Sequence, residues 1–268
     1  MANRNLEGKR IVLTGASSGI GWYLASELVR NGAYVVITAR RNDRLQDLRQ
    51  AFGNPTKRLI AVAGDICEAG HRQRLIDTAV SQLGGLDILI NNAGVGAIGS
   101  FEEASPERLQ RIFDVNFFAA AELTRLALPH LKRGVQPAVC VVSSVLGHRG
   151  VPGKSEYCAA KFALRGWAEA LRVELRPSGI DMLTVSPSTT KSEFFGSLIE
   201  TATGLGQWPT RAGAQSPEVV ARAIFRGLKG RKRDMILSPG GKALVWLSQA
   251  APRLMDRLLL QYAMPAVC

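Results

Sequence analysis

Ile11-Val-Leu-Thr-Gly-Ala-Ser-Ser-Gly-Ile-Gly21 decides the fold. Ile11–Thr14 reads as a buried strand, and the chain then turns through glycines into a helix over about Gly19–Arg30. A strand that turns tightly into a helix leaves unpaired backbone N–H groups at the helix start. Together with the helix dipole, these groups make a site for a pyrophosphate. Glycine permits positive φ and lets a ligand approach the backbone closely. The spacing is GxxxGxG rather than GxGxxG, so this is a different version of the dinucleotide loop. Gly15, Ser17, Ser18, Gly19, Ile20 and Gly21 are its candidate contacts. A plain tight connection would use the same glycines. The position after the first strand of an alternating chain favours the binding reading.

Outward from this loop, short β-branched runs alternate with helical patterns. Strands are expected at Tyr34–Ala39, Leu59–Ala63, Leu86–Ile90, Ala138–Val142, Asp181–Val185 and Asp234–Ser238. Helices are expected over about Asp43–Ala51, 69–83, Pro106–Leu131 and Glu156–Leu175. Strands that are apolar throughout and alternate with helices indicate a parallel sheet covered on both faces. The expected fold is therefore an α/β, doubly wound, seven-stranded parallel sheet (a Rossmann fold). Residues 1–240 read as one catalytic domain, with a mobile insert at about 188–214 and an amphipathic extension at 241–268.

The 268 residues are 46% hydrophobic and 21% charged, which excludes a disordered or collagen-like chain. The formal net charge of +12 invites a nucleic-acid or anionic-membrane partner. No helix-turn-helix, zinc finger or aromatic RNA platform accompanies it, so no nucleic-acid partner is expected. Cys67, Cys140, Cys158 and Cys268 lie far apart without a CxxC pair, which suits reduced thiols and no metal site. No signal-peptide core precedes the first strand, and no uncharged apolar run approaches the ~20 residues of a membrane span. A cytoplasmic protein is the expectation.

The end of the second strand reads Thr38-Ala-Arg-Arg41. An acidic residue there would hold a ribose 2′-hydroxyl, whereas a basic one suits a 2′-phosphate. Arg40 can clamp a phosphate through its planar fork, which points to NADP. Arg41 either shares that task or solvates the next helix.

Tyr157 and Lys161 stand four residues apart on one helical face. A cation near a phenol favours the phenolate and lowers its pKa towards that of a general acid/base. Ser144 ends the fifth strand, and strand C-termini are where ligands sit in open α/β sheets. Thr14–Gly21, Gly64-Asp-Ile66, Asn91-Asn-Ala-Gly94, Asn116, Ser143-Ser144 and Tyr157xxxLys161 together resemble the short-chain dehydrogenase/reductase family over roughly residues 8–240.

The resemblance implies that Tyr157 exchanges a proton with the substrate oxygen and Ser144 holds that oxygen. It also implies that Lys161 binds the nicotinamide ribose and lowers the Tyr157 pKa, with Asn116 supporting a water relay to Lys161. Asp65 and Ile66 would flank the adenine, Asn92, Ala93 and Gly94 would line the ribose end, and Pro187 and Thr190 would brace the carboxamide. A homodimer or tetramer is implied as well. One departure stands out: Ser188 replaces the family's glycine in Pro187-Ser-Thr-Thr-Lys-Ser192, so a positive φ there would cost energy.

Val95, Ala97, Ile98, Phe101, Leu146, Val151, Phe194, Phe195 and Trp208 are candidate substrate contacts, and their apolar character suits a steroid-, retinoid- or acyl-like carbonyl or alcohol. His148 is expected on the surface, and Cys158 as a small packing residue. Residues 241–262 place Leu244, Leu247, Ala251, Leu254, Leu258 and Tyr262 at helical spacing, with Pro252 restarting the helix. Two readings of this tail stay open: packing on the domain or a second subunit, or peripheral contact with a membrane. From Lys229 onward there are seven Lys/Arg and two Asp. An NADP-dependent oxidoreductase is the leading reading, and a non-catalytic dinucleotide-sensing scaffold is the alternative.

Overall fold

The computed structural model describes residues 2–53, 58–191, 193, 199 and 214–263. Seven parallel strands form one sheet: β1 (Arg10–Thr14), β2 (Tyr34–Ala39), β3 (Leu59–Ala63), β4 (Ile88–Asn91), β5 (Ala138–Val142), β6 (Asp181–Ser186) and β7 (Asp234–Ile236). Their order is β3-β2-β1-β4-β5-β6-β7, a doubly wound sheet of the class that the alternating pattern predicts. The order reverses between β1 and β4. Connections leave in opposite directions there, which opens a crevice at the strand C-termini.

Residue alternation within each strand separates two apolar layers. Ile11, Leu13, Val35, Ile37, Ile88 and Ile90 pack with Leu24 and Leu28 of α1 (Gly19–Arg30) and Val220 and Ile224 of α7 (Pro217–Lys229). On the other face, Val12, Val36, Leu89, Val139 and Val141 pack with α3 (Ala69–Leu83), α5 (Ala119–Leu131) and α6 (Ser155–Glu174). Both faces are buried, which explains why the strands read as continuous apolar runs. The helix α2 (Asn42–Gln50) follows β2.

The expected single helix over Pro106–Leu131 is interrupted. It runs as α4 (Pro106–Phe113), a π-helical turn (Asp114–Phe118) and then α5. Inside that turn Asn116 Nδ2 donates to Ile112 O at 3.0 Å, the carbonyl that the Asn116 backbone N–H would serve in an α-helix. The last strand ends two residues earlier than expected, because Ser238 Oγ accepts from Gly241 N and caps α8 (Pro239–Ala250). Pro252 does restart the chain, as α9 (Pro252–Ala263). Within the expected insert, Thr190 bridges Gln215 in parallel. Ser192, Phe194, Phe195 and Trp208 lie outside the described residues, as does Cys268.

Candidate active site

A cavity of about 780 Å³ opens at the C-terminal ends of the strands, beside the switch between β1 and β4. The glycine loop forms its floor. Gly15 has φ +71°, and a Cβ there would lie 2.8 Å from Ala93 Cα. A Cβ on Gly21 would lie 2.1 Å from Gly15 O. These two positions must be bare for the loop to close against β4. The α1 N-terminus follows, where Ser18 is extended and makes no side-chain cap. By contrast, Ser105, Ser216 and Ser238 each cap their own helices. The first α1 amides are thus left to the cavity, the donor set an anion requires.

Loop and strand end are tied together. Thr14 Oγ1 accepts from Asn92 N at 3.0 Å and Ala93 N at 2.9 Å, while Asn92 Nδ2 donates to Thr14 O at 2.9 Å and Gly15 O at 3.1 Å. Asn92 therefore spends its side chain on shaping the loop, although it also lines the cavity with Ala93 and Gly94.

Past β2, Arg40 and Arg41 both reach the cavity. Arg40 is exposed, whereas Arg41 donates to Ser17 Oγ at 3.2 Å and pairs with Glu193 at 2.9 Å. Arg44, which the sequence reading passed over, holds the other Glu193 oxygen at 3.2 Å and lies over the Trp22 ring. Asp65 and Ile66 line the next stretch of wall. Asp65 accepts from Cys67 N at 2.9 Å and pairs with Arg111 at 2.6 Å. Burial works against its charge, but these two bonds hold its carboxyl below the usual range. Arg111 also faces the cavity; its pairing across 46 residues has no sequence signature.

Ser144, Tyr157 and Lys161 converge at the far end. The Tyr157 hydroxyl is hydrogen-bonded to Ser144, and Lys161 Nζ lies 5.7 Å from the Tyr157 ring centroid. Lys161 Nζ donates to Val142 O at 3.1 Å. The expected lowering of the phenol by this cation is not what the protein atoms produce. Burial pushes Tyr157 up to about 12, with the Ser144 bond acting the other way, and pushes Lys161 down to about 8. Desolvation disfavours both charges and is the largest cause of each shift.

Asn116 stands behind Gly94. Its Oδ1 accepts from Val95 N at 3.2 Å, and its Nδ2 donates to Val95 O at 2.8 Å. A Cβ on Gly94 would meet Asn116 Oδ1 at 2.8 Å and Lys161 Nζ at 3.4 Å. That third bare position brings the cavity wall down onto the lysine.

Pro187, Ser188, Thr189 and Thr190 close the cavity from the β6 side. Ser188 raises no strain: Gln136 and Arg231 are the described non-glycine residues with positive φ. The loop is held instead by Val145 N donating to Pro187 O at 3.0 Å and by Thr190 Oγ1 donating to Ser188 O at 3.0 Å.

Val95, Ala97, Ile98, Leu146 and Val151 line the apolar end, whereas Phe101 is 67% exposed and turned to solvent. It sits in the connection before α4, where no element among the described residues covers it. The sequence reading did not place Leu244 and Leu259 here, yet both line the cavity. Leu244 belongs to the apolar face that the spacing predicts, whereas Leu259 does not, and the spacing names no partner for that face.

His148 is half-buried rather than on the surface, with Nε2 3.0 Å from Ser186 Oγ. His71 is fully buried, with Nε2 2.8 Å from Thr38 Oγ1, and its ring fills the space that a Cβ on Gly64 would take at 2.3 Å. Burial lowers the pKa of both rings. The unfolded chain therefore binds protons below pH ~6.5 that the folded chain refuses, so stability falls as pH drops from there. Urea midpoints at pH 7.5 and 5.5 test this: the acid value should be lower, and equal midpoints would refute it. The carboxylates held low (Asp65, Asp87, Glu156) add their own loss only further down.

Residues 9–203 match the short chain dehydrogenase family. The uncharacterized oxidoreductase YxnA of Bacillus subtilis (strain 168) is 34% identical, over 96% of this chain and 72% of that one. The 11-beta-hydroxysteroid dehydrogenase-like 4A of Arabidopsis thaliana is 32% identical, over 94% and 84%. Among solved structures, a short chain dehydrogenase from Burkholderia cenocepacia J2315 in complex with NADP is 28% identical, with a TM-score of 0.74 over 87% of this chain and 97% of that one. The chain belongs to the short-chain dehydrogenase family. It is an oxidoreductase acting on CH–OH or carbonyl groups with a nicotinamide dinucleotide.

Proposed function

We propose that the protein is an NADP-dependent oxidoreductase for a lipophilic carbonyl or alcohol of steroid, retinoid or acyl type. Residues 1–240 form its catalytic domain and 241–268 its extension. The observation that carries this reading is the convergence of Ser144, Tyr157 and Lys161 at the apolar end of a cavity floored by bare glycines and uncapped helix amides. The glycine loop (Gly15, Ser17, Ser18, Gly19, Ile20 and Gly21) would hold the pyrophosphate. Arg40 and Arg41 would hold the 2′-phosphate, Asp65 and Ile66 the adenine, Asn92–Gly94 with Lys161 the ribose, and Pro187 and Thr190 the carboxamide. When bound, the dinucleotide supplies or accepts a hydride at its nicotinamide C4.

The chain's own residues handle the proton. Tyr157, held at about 12, keeps its hydroxyl proton at neutral pH and donates it from Oη to a substrate oxygen that Ser144 positions. The phenolate left behind is stabilised by the nearby Lys161 ammonium. The Asn116 side chain is committed to Val95 and Ile112, so its backbone in the π-helical turn is the part able to support a water relay to Lys161.

The arginines give this reading a direct test. Removing both (Arg40→Ala with Arg41→Ala) should erase the preference for NADPH over NADH by about ten- to a hundredfold, the value of charge-assisted bonds to a phosphate. The ratio of cofactor KM values reads this, and an unchanged ratio excludes the assignment.

Phe118, Phe162, Leu109 and Val173 are exposed on α4–α6 and the π-helical turn between α4 and α5, which supports a homo-oligomer through that face; a single-chain mass in sedimentation would remove it. The reading also includes a peripheral membrane contact through residues 241–262. A steroid- or acyl-like substrate partitions into lipid, and the extension's helices wall the cavity.

A further inference from the structure

We propose that α8 and α9 dock on an anionic lipid bilayer and that the substrate enters the cavity from that membrane. This rests on the lipophilic-substrate reading and specifies where the substrate is met.

The two helices have two working sides. Leu244 of α8 and Leu259 of α9 line the same cavity as Tyr157. Elsewhere on these helices Trp246, Leu254, Leu258 and Leu260 are 68%, 48%, 45% and 61% exposed. Exposed among them are Lys242, Arg253 and Arg257. The sole carboxylate on α8 and α9, Asp256, is paired with Arg149. Large apolar side chains interleaved with net positive charge match the interface of an anionic bilayer. Trp sits at the headgroup level, leucines enter the acyl boundary, and arginine stems lie along the apolar surface with their heads in water.

Each helix has 12 residues, about 18 Å of rise, so the pair lies in the interface and cannot cross it. No helix among the described residues is long and apolar enough to span a membrane. A second copy fits this face less well. A two-fold interface sets this net-positive patch against an identical one, and the one carboxylate on α8 and α9 is already paired with Arg149, so the cations of each copy gain no opposite charge. An anionic surface meets them with opposite charge and needs no symmetry. Because the docked helices are also the cavity wall, an apolar substrate dissolved in the bilayer reaches the site without passing through water.

The test uses the full chain with phosphatidylcholine vesicles, with and without phosphatidylserine. Wild type should co-sediment with the mixed vesicles and release in high salt. Replacing two cations (Arg253→Gln with Arg257→Gln) should weaken partitioning about thirtyfold, and Trp246→Ala should weaken it independently of salt. All three side chains are exposed, and a melting temperature within the wild-type range confirms folding. With NADPH, both variants should reduce a water-soluble aldehyde as wild type does. They should lose turnover of a long-chain ketone presented in vesicles.

Wild type that ignores phosphatidylserine, or variants that bind vesicles like wild type, overturns the docking face. Loss of a dimer in Trp246→Ala without vesicle binding by wild type assigns the face to a second copy, which also overturns it. Equal turnover of the vesicle-borne ketone by the variants overturns the route. Vesicle binding that responds to the variants in a protein that reduces the water-soluble aldehyde but no lipophilic ketone upholds the docking face and sinks the lipophilic-substrate reading instead.

Discussion

Replacing Tyr157 by phenylalanine lowers kcat by about a hundred- to ten-thousandfold, the usual contribution of a positioned general acid, and leaves NADPH binding nearly intact. The ring remains to pack against Lys161, whose Nζ sits 5.7 Å from its centroid, so the cavity wall is kept. Only the hydroxyl is lost, and with it the bond to Ser144 and the transferable proton. Two confounders, misfolding and loss of the cofactor, are read separately by a melting curve and by a fluorescence titration with NADPH. Turnover within tenfold of wild type would show that another group, or water, supplies the proton.

Gly21→Ala should weaken the site by another route. The added Cβ would stand 2.1 Å from Gly15 O and 2.7 Å from Asn92 Nδ2. The first of these is backbone in a turn that is itself pinned by Asn92, so neither side can yield by a simple rotamer change. Relief requires α1 to move away from the strand ends, which costs ~1–3 kcal/mol of stability. Movement of that size also misplaces the α1 amides, and NADPH affinity should fall on the order of a hundredfold, since positioning errors near 1 Å cost that much. Calorimetric titration measures the affinity. Gly166→Ala is the control: a Cβ there meets nothing within 4 Å, and helix propensity predicts a small gain of up to ~1 kcal/mol. Equal behaviour of the two variants would mean that the close approach at Gly21 is not needed.

These two positions also mark how far the chain was legible before folding. Gly21 and Tyr157 belong to patterns with local causes, a strand-to-helix turn and a one-face helical pair, and such causes are written in residues close together. The doubly wound parallel sheet follows in the same way, because apolar runs alternating with helices leave few ways to cover both faces, whereas the order of the strands appears only in the folded sheet. Local pattern did not reveal how Tyr157 titrates. Its burial and its Ser144 bond arise between segments 13 positions apart, and the burial outweighs that bond and moves the phenol opposite to the direction that a neighbouring lysine suggests. The π-helical turn was hidden for a similar reason: Asn116 reaches Val95 across 21 residues.

Periodicity, glycine spacing and the Tyr157–Lys161 pair thus carry the fold class and the kind of chemistry, since each depends on neighbours along the chain. Long-range packing alone carries the electrostatics of the proton donor, the Asp65–Arg111 and Arg41–Glu193–Arg44 pairs, and the use of Leu244 and Leu259 as cavity wall. Those features depend on desolvation and on contacts between distant segments, and neither exists until the chain has folded.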